Sequence, residues 1–279
     1  MLTNLKNFLQ KKFTYIKEYG NWEAALKHST GYDSQNILDK VREATLKVKS
    51  GTSVYERDSV LFDEIQYSWP LLAGLMWIAA QNNGTLEIID LGGSLGSTYF
   101  QNRKFLKHLK KVRWNIIEQK HYVEVGKRDF ESEELKFYYN IESCLESCHP
   151  RAILFSGVLQ YLEKPYELLG KIKSADIDFI LIDRTPFHEG NTDRICVQTV
   201  PKKIFEASYP SWIFSMQKFK EFFKSSTIIE EFDSFAEKLT PYSKFKGFII
   251  CKQVPQREHN LNGFFSMSPE IVTPSAPGV

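Results

Sequence analysis

Short apolar runs alternate with helix-like segments from Gly84 to about Gln253, and this alternation limits the possible folds more than any other feature of the chain. It predicts a mostly parallel sheet whose strands are joined by crossover helices. The first five runs show little polar–apolar alternation, as expected for strands covered on both faces. The predicted strands are residues 87–91, 114–118, 136–139, 152–156, 179–183, 228–232 and 247–252. We therefore expect a doubly wound α/β domain with seven strands.

The segment before Gly84 is predicted to be helical. Two helices are expected at residues 34–49 and 71–80, and the second is too short to span a bilayer. An earlier basic, amphipathic helix is indicated by the spacing of Leu2, Leu5, Phe8, Leu9, Phe13 and Ile16. We interpret it as a packing or dimerisation helix, which would allow a homodimer; a helix lying on a membrane surface is the alternative.

These patterns predict the domain organisation and the location of the protein. We expect an N-terminal helical extension or lid at residues 1–84, the α/β domain at 85–254 and a polar, flexible tail at 255–279. No signal peptide is recognisable at the N-terminus, and no transmembrane segment is predicted. The protein is therefore expected to be cytoplasmic.

Charge and cysteine content exclude two classes of function. Lysine and arginine number 36 against 34 acidic residues, and this net charge of +2 argues against nucleic acid as a partner. Cys144 and Cys148 are four residues apart, but the chain has no CxxC pair and matches no zinc-site spacing. We therefore predict reduced thiols and no metal site.

A glycine-rich turn separates the strand at 87–91 from a helix that begins near Ser97. Its sequence is Asp90-Leu91-Gly92-Gly93-Ser94-Leu95-Gly96. Glycine allows positive φ and a close approach of the backbone to a ligand. The following helix offers free N–H groups and the positive end of its dipole. The turn therefore predicts a nucleotide-type binding site.

The spacing of the glycines distinguishes between two motifs. The dehydrogenase pattern G-x-G-x-x-G would need glycine where Ser94 and Ser97 stand. The methyltransferase pattern acid-x-G-x-G-x-G is matched by Asp90, Gly92 and Gly96, with Ser94 as a small replacement for the central glycine. The second pattern therefore fits better.

An acidic residue lies where a ribose would need one. Glu118 ends the next predicted strand, about 22 residues after Gly96, where α/β nucleotide folds place a carboxylate for the ribose hydroxyls. Gln119 is a candidate supporting contact. The alternative is that Glu118 is a solvated acid at a strand end.

Eight segments carry a resemblance to a known family: Trp22-Glu23-Ala24-Ala25, Gly31-Tyr32, Tyr55-Glu56-Arg57-Asp58, Asp90 to Gly96, Trp114-Asn115-Ile116-Ile117-Glu118-Gln119, Ser156-Gly157-Val158-Leu159-Gln160-Tyr161-Leu162, Asp183-Arg184-Thr185-Pro186-Phe187 and Tyr209-Pro210-Ser211-Trp212. Through them, nearly the whole chain resembles a bacterial family of class I methyltransferases associated with surface-polysaccharide gene clusters. The resemblance implies a Rossmann-like methyltransferase sheet and S-adenosyl-L-methionine as cofactor.

The segment 156–162 is also similar to one that many small-molecule methyltransferases carry beside the methionine half of the cofactor. Those enzymes often have a histidine pair where Gln160-Tyr161 stands here. The predicted cofactor contacts are Asp90, Gly92, Gly93, Gly96, Glu118, Gln119 and Ser156. Tyr161 is expected either to line the methionine pocket and contact substrate or only to pack.

Candidate catalytic and substrate-binding residues follow the fifth strand. Asp183 ends that strand, and Arg184 could hold an anionic substrate or pair internally with Asp183. His188 is the histidine considered as a general base, with an exposed loop position as the alternative. The insertion at 185–212 should hang over the carboxyl edge of the sheet. Upstream, Arg57 and its charged neighbours form either a substrate-binding lid or a solvated turn.

Three functions remain open from the sequence. The first is a methyltransferase acting on a small molecule or a sugar-containing intermediate. The second is an enzyme that uses a nicotinamide or a nucleotide sugar on the same fold, since a fold does not determine a function. The third is a catalytically silent, methyltransferase-like binding protein.

Overall fold

The structure of the protein is a computed structural model that describes residues 14–30, 35–199, 207–234 and 243–252. Its helices are α1 (Trp22–Leu26), α2 (Gln35–Ser50), α3 (Trp69–Gln81), α4 (Ser97–Leu106), α5 (Lys120–Asp129), α6 (Ile141–Ser147), α7 (Pro165–Ser174) and α8 (Met216–Phe222). Its strands are β1 (Thr14–Tyr19), β2 (Tyr55–Arg57), β3 (Val60–Phe62), β4 (Thr85–Leu91), β5 (Lys111–Ile117), β6 (Leu135–Tyr138), β7 (Ala152–Ser156), β8 (Phe179–His188), β9 (Arg194–Thr199), β10 (Ser208–Ser215), β11 (Thr227–Asp233) and β12 (Lys244–Cys251).

The sheet is doubly wound and Rossmann-like, as predicted. Five parallel strands lie in the order β6–β5–β4–β7–β8, and β12 and then β11 continue the sheet antiparallel beyond β8. These seven strands correspond to the seven predicted ones. The chain moves outward from β4 to β6 and returns to β7 on the other side of β4, so the order reverses between β4 and β7. Open α/β sheets bind ligands at such a reversal, beyond the carboxyl ends of the strands.

Three further strands enlarge the sheet to ten, which the sequence did not predict. β8 continues to His188 because residues 185–187 pair with β12, and the predicted overhanging insertion forms β9 and β10. β10 pairs with β8 at Phe187 and His188, so this segment extends the sheet instead of hanging over its carboxyl edge. The sequence predicted only where this insertion would lie and assigned it no secondary structure; its strands form because its backbone pairs with strands distant in sequence.

The N-terminal region contains strands as well as helices. The predicted helix at 34–49 is confirmed as α2, and that at 71–80 as α3. Residues 14–16, predicted as the end of the first helix, lie in β1, which pairs antiparallel with β9. Residues 1–13 of that helix and the tail at 255–279 lie outside the described residues.

Helices cover both faces of the parallel strands. Ile88 packs with side chains of α2 to α5, whereas Ile89, the next residue along β4, packs with side chains of α6 to α8. Successive residues of a strand point to opposite faces, so both positions must be apolar. This double burial explains why the strands are nearly continuous hydrophobic runs.

We predict that two glycines, each inside a helix, respond in opposite ways to alanine. A Cβ at Gly126 of α5 would lie 2.3 Å from Cδ1 of the buried Phe137, whereas nothing lies within 4 Å of one at Gly170 of α7. Gly126→Ala should lower the free energy of unfolding by about 1–2 kcal/mol through overpacking. Gly170→Ala should raise it by up to about 1 kcal/mol through helix propensity. Urea unfolding measures both, and equal shifts in the two variants would contradict the packing seen at Gly126.

Candidate functional site

The turn between β4 and α4 depends on left-handed backbone conformations. Gly92, Ser94 and Gly96 have φ values of 69°, 54° and 101°. Ser94, which stands where the motif has its central glycine, thus adopts the conformation that glycine favours. A Cβ at Gly92 would lie 2.4 Å from Cγ2 of Val158, so glycine is also required by the close approach of the segment after β7.

Asp90 supports this turn from below. Its Oδ2 accepts a hydrogen bond from the indole Nε1 of Trp114 (2.9 Å), and a Cβ at Gly93 would lie 2.6 Å from the Asp90 carboxyl carbon. Burial raises the pKa of Asp90 to about 7, although the Trp114 hydrogen bond lowers it in part. Asp90 was predicted to contact the cofactor directly. In the structure its carboxyl is buried beneath Gly93, so it positions the turn.

Glu118 holds the turn from the side. Its Oε1 accepts from the backbone N–H of Ser94 (3.1 Å), and its Oε2 accepts from the N–H of Gln119 (2.9 Å). Burial raises the pKa of the carboxyl, while these two hydrogen bonds oppose the shift. Gln119 is the N-cap residue of α5, and its side chain is exposed. Glu118 therefore connects the end of β5 to the glycine turn.

A cleft lies at the carboxyl edge of the sheet, next to the N-terminus of α4. Among the described residues, no side chain caps this helix, whose N-cap is Gly96. The cleft is bounded by α4, by the ends of β7 and β8, and by the N-terminal region. Its lining residues are Tyr55, Arg57, Gln66, Tyr67, Ser68, Ser97, Thr98, Gln101, Ser156, Asp183 and Arg184. The structure therefore brings together the predicted residues Arg57, Ser156, Asp183 and Arg184.

Arg184 has an unusual backbone conformation, with φ of 52°. Its N–H donates to Oδ1 of Asp183 (2.9 Å) and to Oγ of Ser234 (3.0 Å), which stabilise the turn. Its guanidinium donates to the carbonyl oxygen (3.0 Å) and hydroxyl (3.3 Å) of Ser156. A left-handed conformation is strained for a long side chain, and such strain is concentrated at functional sites. In this backbone conformation the guanidinium lies across the end of β7, where it contacts Ser156.

Glu56 is buried beside this cleft and was not predicted as a buried acid. It lies in β2, is 2% exposed and accepts a hydrogen bond from the hydroxyl of Ser97, while its Oε2 has no hydrogen-bond partner among the described residues. Burial raises its pKa to about 7, although the Ser97 hydrogen bond lowers it in part. The segment is a β-hairpin whose turn is exposed at Asp58: Asp58 and Ser59 have φ values of 50° and 68°, as in a two-residue type I′ turn.

The structure argues against a role of His188 as a general base. Its Nδ1 accepts from the N–H of Gly190 (3.0 Å), and its Nε2 lies 2.9 Å from the carbonyl oxygen of Thr192, to which it donates. Both ring nitrogens are therefore used within the β8–β9 turn. His188 also follows Asp183 by five residues of extended strand, about 16 Å. The predicted strand ended at Asp183, which would have left His188 in a loop, whereas β8 continues to His188.

Tyr161 packs in the structure. Its hydroxyl donates to Oε1 of Gln198 (2.9 Å), and its ring makes an edge contact with Tyr209, with centroids 4.9 Å apart. Burial raises the pKa of its phenol to about 12. Trp22 and Trp212 likewise stack on each other at 5.9 Å. Tyr161 therefore joins the segment after β7 to β9 and β10, and Trp22 joins α1 to β10.

Several lining residues were missed from the sequence. Ser97 and Gln101 are four residues apart on α4 and therefore lie on one helix face, and this spacing was the available signal. The segment 66–68 precedes α3 and carried no motif. Its place in the cleft depends on Gln101, whose Nε2 donates to the carbonyl oxygen of Gln66 and to the hydroxyl of Tyr55.

Comparisons with known proteins give distant structural similarities. No family model matches the chain, and no curated protein gives a significant sequence match. The N-terminal domain of EvdMO1 with SAH bound is similar at 12% identity, over 78% of this chain and 96% of that one, with a TM-score of 0.45. A SAM-dependent methyltransferase of Leishmania major has 16% identity over 82% and 89% of the two chains and a TM-score of 0.43. Magnesium protoporphyrin IX methyltransferase (ChlM) from Synechocystis PCC 6803 with bound SAM has 11% identity over 79% and 98%, at 0.42. Similarities this distant assign no ligand to the chain.

One finding bears on membrane association. Within the described ranges, no helix combines the length and apolar character needed to cross a bilayer.

We predict that Ser94 tolerates glycine better than a branched residue. Ser94→Gly removes the cost of a left-handed conformation, about 1–2 kcal/mol, less the extra entropy that glycine gains when unfolded. Its free energy of unfolding should therefore equal or exceed that of the wild type. Ser94→Val should unfold more easily than either, because β-branched residues resist positive φ. The opposite order in urea unfolding would contradict the conformation at Ser94.

We also predict that Glu56 makes the protein less stable as the pH rises. Its pKa is about 7 in the folded state against 4.5 in the unfolded chain. Because the folded state holds the proton more tightly, stability declines between about pH 4.5 and 7 and is constant above that range. Glu56→Gln should remove about 3 kcal/mol of this decline. Glu64→Gln, at an exposed position, is the control and should keep the wild-type slope. Denaturant unfolding at several pH values measures the slope, and parallel curves for wild type and Glu56→Gln would contradict the prediction.

Proposed function

We propose that the protein is an S-adenosylmethionine-dependent methyltransferase that acts on a small molecule or a sugar-containing intermediate. The observation that carries this proposal is the arrangement around the glycine turn. A left-handed backbone, a carboxylate at the end of β5 and an uncapped helix N-terminus meet beside a cleft at the reversal of strand order. The sequence resemblance extends the proposal to the synthesis of surface polysaccharides.

The nucleoside half of the cofactor fits next to Glu118. Each carboxylate oxygen has two lone-pair sites and uses one of them for a backbone N–H, of Ser94 or of Gln119. One site on each oxygen is left for the two neighbouring ribose hydroxyls. Gly92 and Gly93 form the part of the turn whose backbone the cofactor would approach, and their Cβ positions face Val158 and Asp90.

The amino-acid half would extend toward α4 and β7. The N-terminus of α4 attracts a carboxylate through its free N–H groups and its dipole. Ser97 and Thr98, in the first turn of the helix, line the cleft opposite Ser156. Ser156, Asp183 and Arg184, at the ends of β7 and β8, would then lie on the side of the cofactor that a substrate reaches.

The chemistry requires alignment above all. The bound cofactor would supply an electrophilic methyl group, which would pass to a nucleophilic atom of the acceptor as the C–S bond breaks to give a neutral thioether. Holding the acceptor in line with that bond supplies much of the rate enhancement. Asp183 and Arg184 lie together in the cleft, so we assign to them the positioning of the acceptor. Oδ1 of Asp183 already accepts from Arg184 and Ser234, which fixes the orientation of the carboxylate.

We predict that S-adenosylhomocysteine binds and that Glu118→Ala weakens its binding. Loss of charged hydrogen bonds costs about 1.5–3 kcal/mol, or more than about tenfold in affinity. Glu124→Ala, an exposed acid on α5, is the control and should bind as the wild type does. Isothermal titration calorimetry measures the affinities, with thermal unfolding as a check that Glu118→Ala remains folded.

The same titration distinguishes the three functions. Binding of NAD in place of S-adenosylhomocysteine would contradict the proposal and favour the nicotinamide-using enzyme. Binding of S-adenosylhomocysteine without methyl transfer to any of a broad set of acceptors would favour the silent binding protein. The division into residues 1–84, 85–254 and 255–279, a homodimer and a cytoplasmic location stay predictions from the sequence.

A further inference from the structure

An exposed cluster of three aromatic side chains borders the cleft and has been given no function above. Tyr67, Trp69 and Phe105 contact one another, with ring centroids 4.8 Å apart for Tyr67–Trp69, 5.3 Å for Tyr67–Phe105 and 5.8 Å for Trp69–Phe105. Trp69 is 60% exposed, although it is the largest type of apolar side chain. Covering such a side chain is favourable, and an exposed aromatic patch often marks a binding surface.

This cluster is continuous with the cleft. Tyr67 belongs to both, since it lines the cleft and contacts the ring of Trp69. Gln66 and Ser68, on either side of Tyr67, also line the cleft. We call Tyr67, Trp69 and Phe105 the aromatic rim. A ligand seated on the rim can therefore extend into the cleft.

The polar groups beside the rim include both donors and acceptors. The Nε of Arg57 donates to the hydroxyl of Tyr55 (3.0 Å), and its two terminal nitrogens have no hydrogen-bond partner among the described residues. Oε1 of Gln66 is buried and, within the described chain, accepts no hydrogen bond. A hydroxyl group can accept from a guanidinium and donate to an amide oxygen. The wall beside the rim thus suits neighbouring hydroxyls.

The charges in the cleft distinguish a neutral ligand from an anionic one. Arg57 and Arg184 are opposed by Asp183, which also lines the cleft, and by Asp58, whose charge acts on Arg184. These two positive and two negative side chains balance, so apart from the N-terminus of α4, which is assigned to the cofactor carboxylate, no excess positive charge is left for an anionic acceptor. A neutral, hydroxyl-rich ligand with one apolar face fits this environment better than a phosphate or a flat aromatic acid.

We infer that the aromatic rim, together with Arg57 and Gln66, binds a neutral sugar ring of the methyl acceptor. The C–H face of the ring lies on Trp69, and its hydroxyls contact Arg57 and Gln66. This inference rests on the proposed function and narrows its substrate class to a saccharide. It also assigns to the N-terminal region the recognition of the acceptor.

The test monitors Trp69 directly. The chain contains five tryptophans, and protein labelled with 5-fluorotryptophan gives a fluorine resonance for each, with that of Trp69 identified by its loss in Trp69→Phe. S-adenosylhomocysteine is added first, and its binding is measured separately by calorimetry. The probes are then a set of methyl glycosides of neutral hexoses, pentoses and deoxyhexoses, with p-hydroxybenzoate and inorganic phosphate as competing classes.

We expect at least one glycoside to shift the Trp69 resonance in a saturable way. In calorimetric titrations, which need no signal from Trp69, Trp69→Ala and Arg57→Gln should each weaken the binding of that glycoside by about tenfold or more, as for truncation of a central contact. The control is Tyr139→Ala, at an aromatic residue 48% exposed next to the end of β6, which should leave the affinity unchanged.

Four results would overturn the inference. They are a Trp69 resonance that no glycoside shifts, a shift caused only by p-hydroxybenzoate, a shift caused only by phosphate, and a glycoside affinity that neither Trp69→Ala nor Arg57→Gln changes. The proposed function fails separately, when calorimetry detects no binding of S-adenosylhomocysteine. Glycoside binding at Trp69 in that case would leave a saccharide-binding surface and remove only its role in methyl transfer.

Discussion

The site depends on a backbone turn that two carboxylates hold in place. Asp90 lies beneath Gly93 with its Oδ2 bonded to Trp114, and Glu118 accepts the N–H of Ser94 from the side. Both acids come from neighbouring parallel strands, whose register places their ends together. The left-handed conformation of Ser94 is strained, and the hydrogen bond from its N–H to Glu118 helps to offset that cost. The open N-terminus of α4 follows directly from this arrangement.

The cleft is completed by elements that are distant in sequence. The hairpin of β2 and β3 brings Glu56 under Ser97, at the first residue of α4. On the other side of the cleft, the side chain of Arg184 lies across the end of β7. Its backbone is left-handed, and its guanidinium donates a hydrogen bond to Ser156. The N-terminal region is therefore part of the site and not only a cover. The raised pKa of Glu56 is a consequence of this closure, since burial between packed elements disfavours its charge.

The parallel core could be predicted because its signal is local. Ile88 and Ile89 must both be apolar when helices cover both faces, and β7 and β8 are likewise buried at successive positions. The glycine turn and Glu118 were predictable for the same reason, since a known spacing connects them along the chain. The strand character of β9 and β10 was not predictable in this way. These strands depend on pairing with β8 and β1, and backbone pairing leaves little trace in side-chain pattern.

The sequence by itself determined the doubly wound sheet, the position of the turn and the identity of the acid that follows it, because strand and helix periodicity and glycine spacing act over short distances. Only the tertiary structure decided which charged residues share a site. It placed Arg57 and Arg184 in the same cleft. Both ring nitrogens of His188 form hydrogen bonds within the β8–β9 turn, and the carboxyl of Asp90 lies beneath the backbone of Gly93. The physical reason is that burial, strand pairing and hydrogen-bond competition involve residues far apart in the chain, whose meeting no local pattern records.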